Sequence, residues 1–339
     1  MKIAVILFNL GGPDSPEAVE PFLKNLFSDP AIIALPKLLR LPLAWFIARR
    51  RAPVTRAIYA KIGGRSPILP ETEAQARALE TALAAMGHEA RAFIAMRAWE
   101  PFSSDAARAA KAWGAGRVVL LPLYPQFSTT TTASSLEDWH EAAAREGLAI
   151  PTARVCCYPW AEGFVAAIAD AIVAVEKKPG VDYRLLLSAH GLPKRVIDKG
   201  DPYRWQVEKT AQAIVDRLGT IDWSVCYQSR VGPLEWIGPA TDAEIARAGR
   251  DGKGVILAPI AFVSEHSETL VELDIDYARL ARDSGVPDYR RVPTVSAVPG
   301  FIAALAKLVV AAAQQSVVTC GEGRICPRQF ARCGYGGSP

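Results

Sequence analysis

Short apolar segments alternate with alanine-rich helical stretches along most of this chain. The apolar segments have the length and β-branched content of buried strands, and they cover residues 2–8, 89–95, 117–123, 183–189, 223–228 and 254–262. Helical periodicity covers residues 71–86, 102–113, 161–176, 203–218, 266–282 and 299–315. Strands that alternate with helices form mostly parallel sheets with helices on both faces, so the pattern predicts an α/β fold.

The chain length and the distribution of these segments predict two lobes. A chain of 339 residues can bury two cores of ordinary size. We expect a first α/β lobe over residues 1–155 and a second over residues 156–298. Residues 299–339 then comprise a final helix, which packs back on the first lobe, and a cysteine-rich tail.

Charge and hydropathy exclude several classes of protein. The 39 basic and 35 acidic residues nearly balance, which argues against nucleic acid as the main partner. No window approaches the roughly 18 to 20 continuous apolar residues of a membrane span, and the first apolar run is too short for a secretory signal. We therefore expect a cytoplasmic protein whose cysteines do not form structural disulfides.

Residues 31–47 form an unusually apolar segment that contains Pro36 and Pro42. One long core helix is unfavourable there, because each proline removes a backbone donor and crowds the preceding turn. Arg49–Arg51 follow the segment closely. Two interpretations are open. The segment is either part of the core with a basic edge, or an exposed apolar lip beside a basic patch, suited to a membrane surface or a large apolar anion.

Histidines and carboxylates gather where predicted strands end. His190 follows the strand at 183–189, and His266 follows the strand at 254–262. In open parallel sheets, ligands bind beyond the carboxyl ends of the strands. A single histidine is most often structural, but two histidines with nearby carboxylates at neighbouring strand ends favour a catalytic site.

A row of acidic residues accompanies His266. Glu265, Glu268, Glu272 and Asp276 are spaced three, four and four residues apart, which places them along one face of a helix. The simpler interpretation is a solvated helix face. Like charges at this spacing repel one another, however, so a row beside histidines also fits a divalent-cation site or a proton path.

The glycine-rich tail contains Cys320, Cys326 and Cys333. Such a tail has too few apolar residues to fold without a staple. Cys156 or Cys157 could supply a fourth thiolate, and four thiolates suit either a [2Fe–2S] cluster or structural zinc. The spacing does not choose between these two groups, and a reduced tail without metal is the third interpretation.

Six motifs are distributed over nearly the whole chain. They lie at 10–13 (LGGP), 59–67 (YAKIGGRSP), 123–128 (LYPQFS), 188–193 (SAHGLP), 227–233 (YQSRVGP) and 262–270 (FVSEHSETL). Together and in this order they resemble the ferrochelatase family. The resemblance implies two Rossmann-like lobes with an active-site cleft between them. It also implies a lyase that inserts ferrous iron into protoporphyrin IX, the last step of heme synthesis.

The resemblance implies roles for the residues at the strand ends. His190 would be the proton acceptor or metal-delivering ligand, a task that suits an imidazole because its pKa lies near neutrality. Glu268 would face it from the opposite side of the porphyrin. Glu268, Glu272 and Asp276 would conduct protons or metal, with an outer metal-handling role for Glu265 and His266.

The resemblance also implies a porphyrin pocket. Its walls and polar anchors would be Leu10, Tyr59, Arg97, Tyr124, Trp236 and Phe262. Arg51 and Ser66 would bind the propionates, because a guanidinium can hold a carboxylate at two points. The apolar lip would make loose contact with a membrane surface.

The cofactor and the partners follow from the same resemblance. The position of the first cluster cysteine in the animal enzymes is Thr129 here, so a [2Fe–2S] cluster would use Cys157 (or Cys156), Cys320, Cys326 and Cys333. The partners would be porphyrin and ferrous iron. The choice between protoporphyrin and coproporphyrin stays open, as does the oligomeric state, a homodimer included. The alternatives are a chelatase for cobalt or nickel, and a non-catalytic heme or metal carrier.

Overall fold

The computed structural model of the protein describes residues 1–230 and 232–336. Val231, within the motif at 227–233, and residues 337–339 at the end of the tail lie outside the described residues. Parallel strands form two sheets, and helices cover them. The predicted α/β fold with two mostly parallel sheets is confirmed.

The first sheet has five parallel strands in the order β2-β1-β3-β4-β9. Alternate residues of β1 pack into two separate apolar clusters, one on each face of the sheet, which explains its uninterrupted apolar sequence. β9 belongs to the tail and pairs with β4, so the segment after the final helix extends the first sheet. The strands are β1 Ile3–Asn9, β2 Ala90–Met96, β3 Arg117–Pro122, β4 Thr152–Cys157 and β9 Val317–Thr319.

The second sheet has four parallel strands in the order β6-β5-β7-β8. The sequence pattern indicates three of them and misses β8, which has only three residues and no apolar run. It misses β9 for the same shortness, and β4 because an arginine interrupts its apolar residues. The strands are β5 Tyr183–His190, β6 Trp223–Gln228, β7 Gly254–Pro259 and β8 Tyr289–Arg291.

The helices flank both sheets. The helical periodicity predicts α3, α4, α6, α8 and α11 closely, and it does not indicate α1, α2, α5, α7 and α9. The helices are α1 Val19–Ser28, α2 Lys37–Ala60, α3 Ile68–Ala85, α4 Ser103–Trp113, α5 Thr132–Arg145, α6 Glu162–Val173, α7 Lys194–Asp198, α8 Tyr203–Leu218, α9 Thr241–Arg250, α10 Tyr277–Asp283 and α11 Pro299–Gln314.

The predicted helix over 266–282 is not a single α-helix. Residues Glu268–Asp276 form a π-helix, and α10 follows it directly. The i→i+5 hydrogen bonds of a π-helix widen the turn, and such segments occur mostly at functional sites. Apolar spacing at three and four residues does not distinguish a π-helix from an α-helix, so the sequence pattern misses it.

The apolar lip at 31–47 differs from the expectation. Despite Pro42 and Pro53, α2 is one continuous helix, because the carbonyls that the prolines leave without a donor belong to exposed residues and can bind water. Leu38 and Phe46 are 89% and 56% exposed. A stripe of small alanines buries the other side of α2 against α1. Of the two interpretations, the exposure supports an exposed apolar lip and not a core segment.

Buried glutamines connect the lobes. Gln75 on α3 donates from Nε2 to the carbonyl oxygens of Val263 and Ser296, at 2.8 and 3.1 Å. Gln126, after β3, donates to the Ile260 carbonyl at 3.0 Å. Such amides lose water on burial and are stable only when hydrogen-bonded, so they fix the lobes to each other. α11 packs on α3 and α6. The lobe boundary near residue 155 stays a prediction.

Candidate active site

Three neighbouring strands end at the same edge of the second sheet. β5 ends at His190, and β6 beside it ends at Gln228. On the other side of β5, the segment after β7 carries Phe262 and leads to Glu268 at the start of the π-helix. Because parallel strands point their carboxyl ends the same way, these side chains meet beyond one edge, where the sequence places the site.

Two imidazoles flank one carboxylate. His190 Nε2 lies 3.5 Å from Glu268 Oε1, and His266 Nε2 lies 3.6 Å from Glu268 Oε2. A flat macrocycle needs roughly 7 Å between the groups that face its two sides, twice a contact distance of about 3.5 Å. The expectation that His190 and Glu268 lie on opposite sides of the porphyrin is therefore wrong. Both groups belong to one side.

The backbone determines which nitrogen of His190 is available. Nδ1 lies 2.6 Å from the carbonyl oxygen of Gly191, which can only accept, so Nδ1 carries a proton. Nε2 is then the nitrogen that gains or loses a proton, and it points to Glu268. The Tyr203 hydroxyl donates to the His190 carbonyl at 3.0 Å and helps to hold the residue at the end of β5.

The His190–Glu268 pair is ionised at neutral pH. Burial lowers the pKa of His190, but the carboxylate of Glu268 outweighs burial and raises the pKa from 6.5 to about 9. Burial raises the pKa of Glu268, yet the two histidines hold it well below its usual value. A divalent cation bound at Glu268 would repel the imidazolium proton and leave Nε2 as a neutral base.

Glu272 lies one turn after Glu268 in a polar niche. Its Oε1 accepts hydrogen bonds from the Ser229 backbone nitrogen and the Tyr277 hydroxyl, both at 2.9 Å. Gln228 Nε2 donates to its Oε2 at 3.3 Å. Burial and the charge of Glu268 raise the pKa of Glu272, so this carboxyl holds a proton more readily than an exposed one.

Sequence analysis did not assign roles to Gln228, Ser229 and Tyr277. Gln228 and Ser229 lie at the end of β6, within the motif at 227–233. Their position at a strand end could have indicated from the sequence that they belong to the site. Ser229 has φ +63°, a left-handed conformation that is uncommon for a residue with a side chain. It directs both the backbone nitrogen and the hydroxyl of Ser229 to Glu272.

The two ends of the acidic row have different surroundings. Asp276 Oδ1 lies 3.4 Å from Lys61 Nζ of the first lobe, at the exposed end of the π-helix. Glu265 does not belong to the row, because Arg291 Nη1 lies 2.6 Å from its Oε1 and the Thr294 backbone nitrogen donates to the same oxygen at 2.9 Å. Glu265 therefore forms a half-buried ion pair with Arg291, and its metal-handling role stays a prediction.

Aromatic rings surround His190. The ring centroids of Trp236 and Phe262 lie 6.5 and 6.4 Å from that of His190, and Phe262 packs edge-on against His266 at 4.4 Å. All four side chains are half-buried rather than enclosed. The arrangement offers an apolar surface next to the ionised pair, as the pocket prediction requires of Trp236 and Phe262.

The first lobe contributes Tyr59 and Ser66. The Ser267 hydroxyl lies 3.4 Å from the Tyr59 hydroxyl, which places the end of α2 beside the start of the π-helix. Burial raises the pKa of Tyr59, and the nearby charge of Glu268 adds to this. Ser66 is 6% exposed, and its hydroxyl occupies the space where a Cβ on Gly12 would lie. Ser66 also hydrogen-bonds the Tyr59 hydroxyl, and it is largely covered.

Leu10 and Tyr124 line the carboxyl edge of the first sheet. Leu10 follows β1 and is half-buried. Tyr124 follows β3, and burial raises the pKa of its hydroxyl far above the usual value. Tyr124 packs on the first-lobe cluster that contains Phe8 and Trp139, and the roles of Leu10 and Tyr124 as pocket walls stay predictions.

The two predicted arginine contacts differ. Arg97 Nη2 lies 3.0 Å from Asp29 Oδ2 and Nη1 lies 3.6 Å from Asp138 Oδ1, and its Nε donates to the Ser134 hydroxyl at 2.8 Å. These partners hold the guanidinium of Arg97 within the first lobe, and its porphyrin-anchoring role stays a prediction. Arg51 is exposed on α2, and its guanidinium lies 5.7 Å from the ring centroid of Phe27.

Most of the cysteines lie together between β4 and the tail. Gln206 Nε2 donates to Cys326 Sγ at 3.1 Å and to Cys157 Sγ at 3.4 Å. The Cys156 thiol is hydrogen-bonded with the thiols of Cys157 and Cys333, and these contacts together with burial raise its pKa. The structure therefore brings both Cys156 and Cys157 to the tail cysteines.

Cys320 lies at the margin of this cluster of cysteines. Its backbone nitrogen donates to the Cys157 carbonyl at 3.2 Å, and burial raises the pKa of its thiol to about 12. Within residues 1–230 and 232–336, no three His, Cys, Asp or Glu side chains are arranged to hold one metal ion. A [2Fe–2S] cluster is therefore not established by these positions.

The fold is that of the chelatases. SirB of Bacillus subtilis with Fe3+ superposes with a TM-score of 0.56 at 15% identity, over 93% of this chain and 97% of that one. The sirohydrochlorin chelatase SirB of Bacillus subtilis subspecies spizizenii in complex with cobalt gives 0.55 at 12% identity, over 93% and 96%. At these identities the similarity defines the architecture alone.

Sequence comparison defines the family. The ferrochelatase family matches residues 2–313. The ferrochelatase of Phenylobacterium zucineum (strain HLK1) is 54% identical over 98% of both chains. That of Caulobacter vibrioides (strain NA1000 / CB15N) is 56% identical over 91% of this chain and 89% of its own. The chain belongs to the ferrochelatase family.

Proposed function

We propose that this protein inserts Fe2+ into protoporphyrin IX and releases the two pyrrole N–H protons, the last step of heme synthesis. The observation that carries the proposal is one carboxylate, Glu268, held between His190 and His266 at 3.5 and 3.6 Å. Membership of the ferrochelatase family supports it. A carrier would need the apolar surface but no group that takes protons.

The reaction follows from the ionised pair. Fe2+ would bind at Glu268, and its charge would drive the proton of His190 Nε2 to the Glu272 carboxylate, which passes it on to solvent before the pyrrole protons follow. Each pyrrole N–H bond then breaks in turn. Its electron pair stays on nitrogen and binds iron, and its proton goes to His190 Nε2, now a neutral base. Glu272, whose pKa burial raises, accepts that proton next and passes it to Asp276 at the exposed end of the π-helix.

The porphyrin would lie between the two carboxyl edges. Trp236 and Phe262 would contact it from the side of His190, with Leu10, Tyr59 and Tyr124 on the side of the first lobe. Arg51 is exposed and could bind a propionate, whereas Ser66 would have to move from its covered position to do so. The flat apolar ring and its charged edge would thus meet an apolar wall and a cationic rim.

An anaerobic steady-state assay tests this function. We expect turnover with Fe2+ and protoporphyrin IX, and the same assay with coproporphyrin compares the second porphyrin directly. Competition with Co2+ and Ni2+ measures the preference for the metal. Tight binding of heme with no turnover would instead identify a carrier.

We further propose that the cysteines gathered between β4 and the tail bind a [2Fe–2S] cluster. The chemistry of the donors supports this, because they are all thiols and those of Cys156, Cys157, Cys326 and Cys333 are buried, with Cys156 contacting Cys157 and Cys333, and Cys326 contacting Cys333. Cys326 and Cys333 would hold it with Cys156 or Cys157, and Cys320 would complete the set. When bound, the cluster supplies a one-electron redox centre.

Anaerobic purification tests the cluster. We expect a coloured protein with two irons per chain, and a colourless protein with stoichiometric zinc would refute the cluster proposal.

We also propose that the lip contacts a membrane surface. Leu38, Leu39 and Phe46 are 89%, 62% and 56% exposed, and Arg49–Arg51 follow them on the same helix. None of the described helices combines the length and the apolar character that a membrane crossing needs. Leu38→Asp should reduce co-sedimentation with anionic vesicles, whereas Met86→Asp, which changes another exposed apolar residue away from the lip, should not. Equal binding of both variants would refute the proposal.

A further inference from the structure

The first turn of α8 contacts both β5, at His190, and the cluster of cysteines. The Tyr203 hydroxyl donates to the His190 carbonyl at 3.0 Å. Three residues later, Gln206 Nε2 donates to Cys326 Sγ at 3.1 Å and to Cys157 Sγ at 3.4 Å. Residues three apart lie on one helix face, one turn from each other. One helical turn therefore joins two groups that the sequence motifs treat separately.

The tail holds the beginning of α8 at further points. The Arg332 backbone nitrogen donates to the Gly200 carbonyl at 3.1 Å, and the Phe330 and Trp205 rings lie 5.7 Å apart. Gly200 has φ +90°, and a Cβ there would lie 3.0 Å from the backbone nitrogen of Ala331. The segment between Cys326 and Cys333 thus packs directly on the residues that lead into α8.

The amide of Gln206 is fixed at both of its atoms. Its Oε1 accepts from the Phe127 backbone nitrogen at 2.7 Å, while its Nε2 donates to the two sulfur atoms. Gln206 is fully buried, so no water can replace a lost partner. Loss of the two sulfur contacts would therefore leave a buried N–H without a partner.

We propose that Gln206 and Tyr203 are positioning residues that connect the packing of the cysteine tail to the placement of His190. Gln206, hydrogen-bonded to Cys157 and Cys326, fixes the first turn of α8, and Tyr203 fixes the end of β5. When the contact with the tail sulfur atoms is lost, the turn is held less firmly and His190 is less well placed against Glu268. The inference rests on the proposed role of His190, and it does not depend on which metal group the thiols bind.

Three variants of the full chain test the connection. Tyr203→Phe removes the bond to His190. Gln206→Leu removes the bonds to the two thiols together with the bond from the Phe127 backbone nitrogen. Gln212→Leu is the matched control, because Gln212 is exposed on the same helix and donates to Asp216 at 2.6 Å. The readout is the ring resonance of His190 by NMR at one fixed pH, without iron or porphyrin. The chain has four histidines, and His190→Gln identifies the signal.

We expect Tyr203→Phe and Gln206→Leu to move the His190 resonance in the same direction, and Gln212→Leu to leave it in place. In steady-state kinetics both should lower kcat roughly three- to tenfold, as loss of one neutral hydrogen bond implies, with KM for porphyrin unchanged. A Gln206→Leu protein with altered visible absorption and an unmoved His190 resonance would overturn the proposal. If Gln206→Leu does not fold by circular dichroism, Gln206→Glu keeps the shape, and the same outcomes decide.

A double variant separates one path from two independent effects. Gln206→Leu combined with Cys326→Ala should move the His190 resonance no further than Gln206→Leu alone, because Cys326 acts on His190 through Gln206. A shift equal to the sum of the two would overturn the proposal. Absence of iron insertion by the unmodified protein would refute the proposed function instead, and the NMR comparison would still decide the connection.

Discussion

The two lobes share a strand-and-helix architecture but treat their charges differently. In the first lobe, Arg97 is paired with Asp29 and Asp138, and a guanidinium keeps its proton at any ordinary pH. In the second lobe, Glu268 is paired with His190 and His266, whose imidazoles can lose theirs. The comparison teaches that reactivity depends on the kind of cation that faces a carboxylate. The Arg97 pairs of the first lobe are permanent, as is the Arg291–Glu265 pair of the second, whereas the histidine pairs at Glu268 are ones that a metal ion can break.

Replacing His190 should have the largest effect. His190→Ala removes the base and should lower the rate of iron insertion about 10²- to 10⁴-fold, while porphyrin binding, measured by fluorescence quenching, stays within about twofold. His140→Ala changes a histidine of the first lobe, whose Nδ1 faces the Leu136 carbonyl, and should keep full activity. Full turnover of His190→Ala would remove this residue from the mechanism.

Replacing Arg97 tests the permanent pairs. Arg97→Ala leaves Asp29, which is 5% exposed, without its cation, and should lower the free energy of unfolding by about 3–5 kcal/mol. Arg108→Ala breaks exposed ion pairs with Asp105 and Glu146 and should cost about 1 kcal/mol or less. Denaturant titration measures both. Unchanged stability with a raised KM for porphyrin would support Arg97 as a substrate anchor.

Replacing Glu268 tests the pair that can be broken. Glu268→Gln removes the negative charge that outweighs burial, so the pKa of His190 should fall from about 9 toward or below 6.5. Histidine NMR over a pH series measures this change. Glu235→Gln, which alters an exposed ion pair with Lys194, should leave the titration of His190 as it was. An unchanged pKa in Glu268→Gln would mean that the carboxylate does not hold the imidazolium.

The smallest effect is the pH dependence of stability. Folding raises the pKa of His190, so its contribution is fully present below pH 6.5 and is lost as the pH rises through about 9. Folding lowers the pKa of Glu268, so its contribution is present above pH 4.5 and is lost on acidification. The difference in stability between the unmodified protein and Glu268→Gln should therefore be largest between about pH 4.5 and 6.5. A difference that grows above pH 9 would contradict this assignment.

Local patterns were sufficient for much of the fold. The apolar runs predict β1, β5 and β7, because both faces of these strands are covered and every position favours an apolar side chain. The same reasoning fails for β8 and β9, which have three residues each and depend on their neighbours for pairing. A different rule fails for α2, namely that prolines end a helix. Its internal prolines are tolerated because the carbonyls they leave unpaired are exposed.

The sequence by itself selects the residue types of the site and the strand ends that carry them. His190, His266 and Glu268 stand where parallel strands finish, and that edge gathers them whatever the details of the loops. Cys326 and Cys333 likewise predict a cluster of cysteines in the tail.

Only the tertiary structure decides which partner each charge finds. It places His190 and Glu268 on one side at 3.5 Å, gives Glu265 to Arg291, and gives Arg97 to Asp29. These outcomes depend on distances of a few ångströms between segments far apart in the chain. Spacing along a sequence carries no information about them, because Coulomb and hydrogen-bond energies depend on the separation of atoms in space.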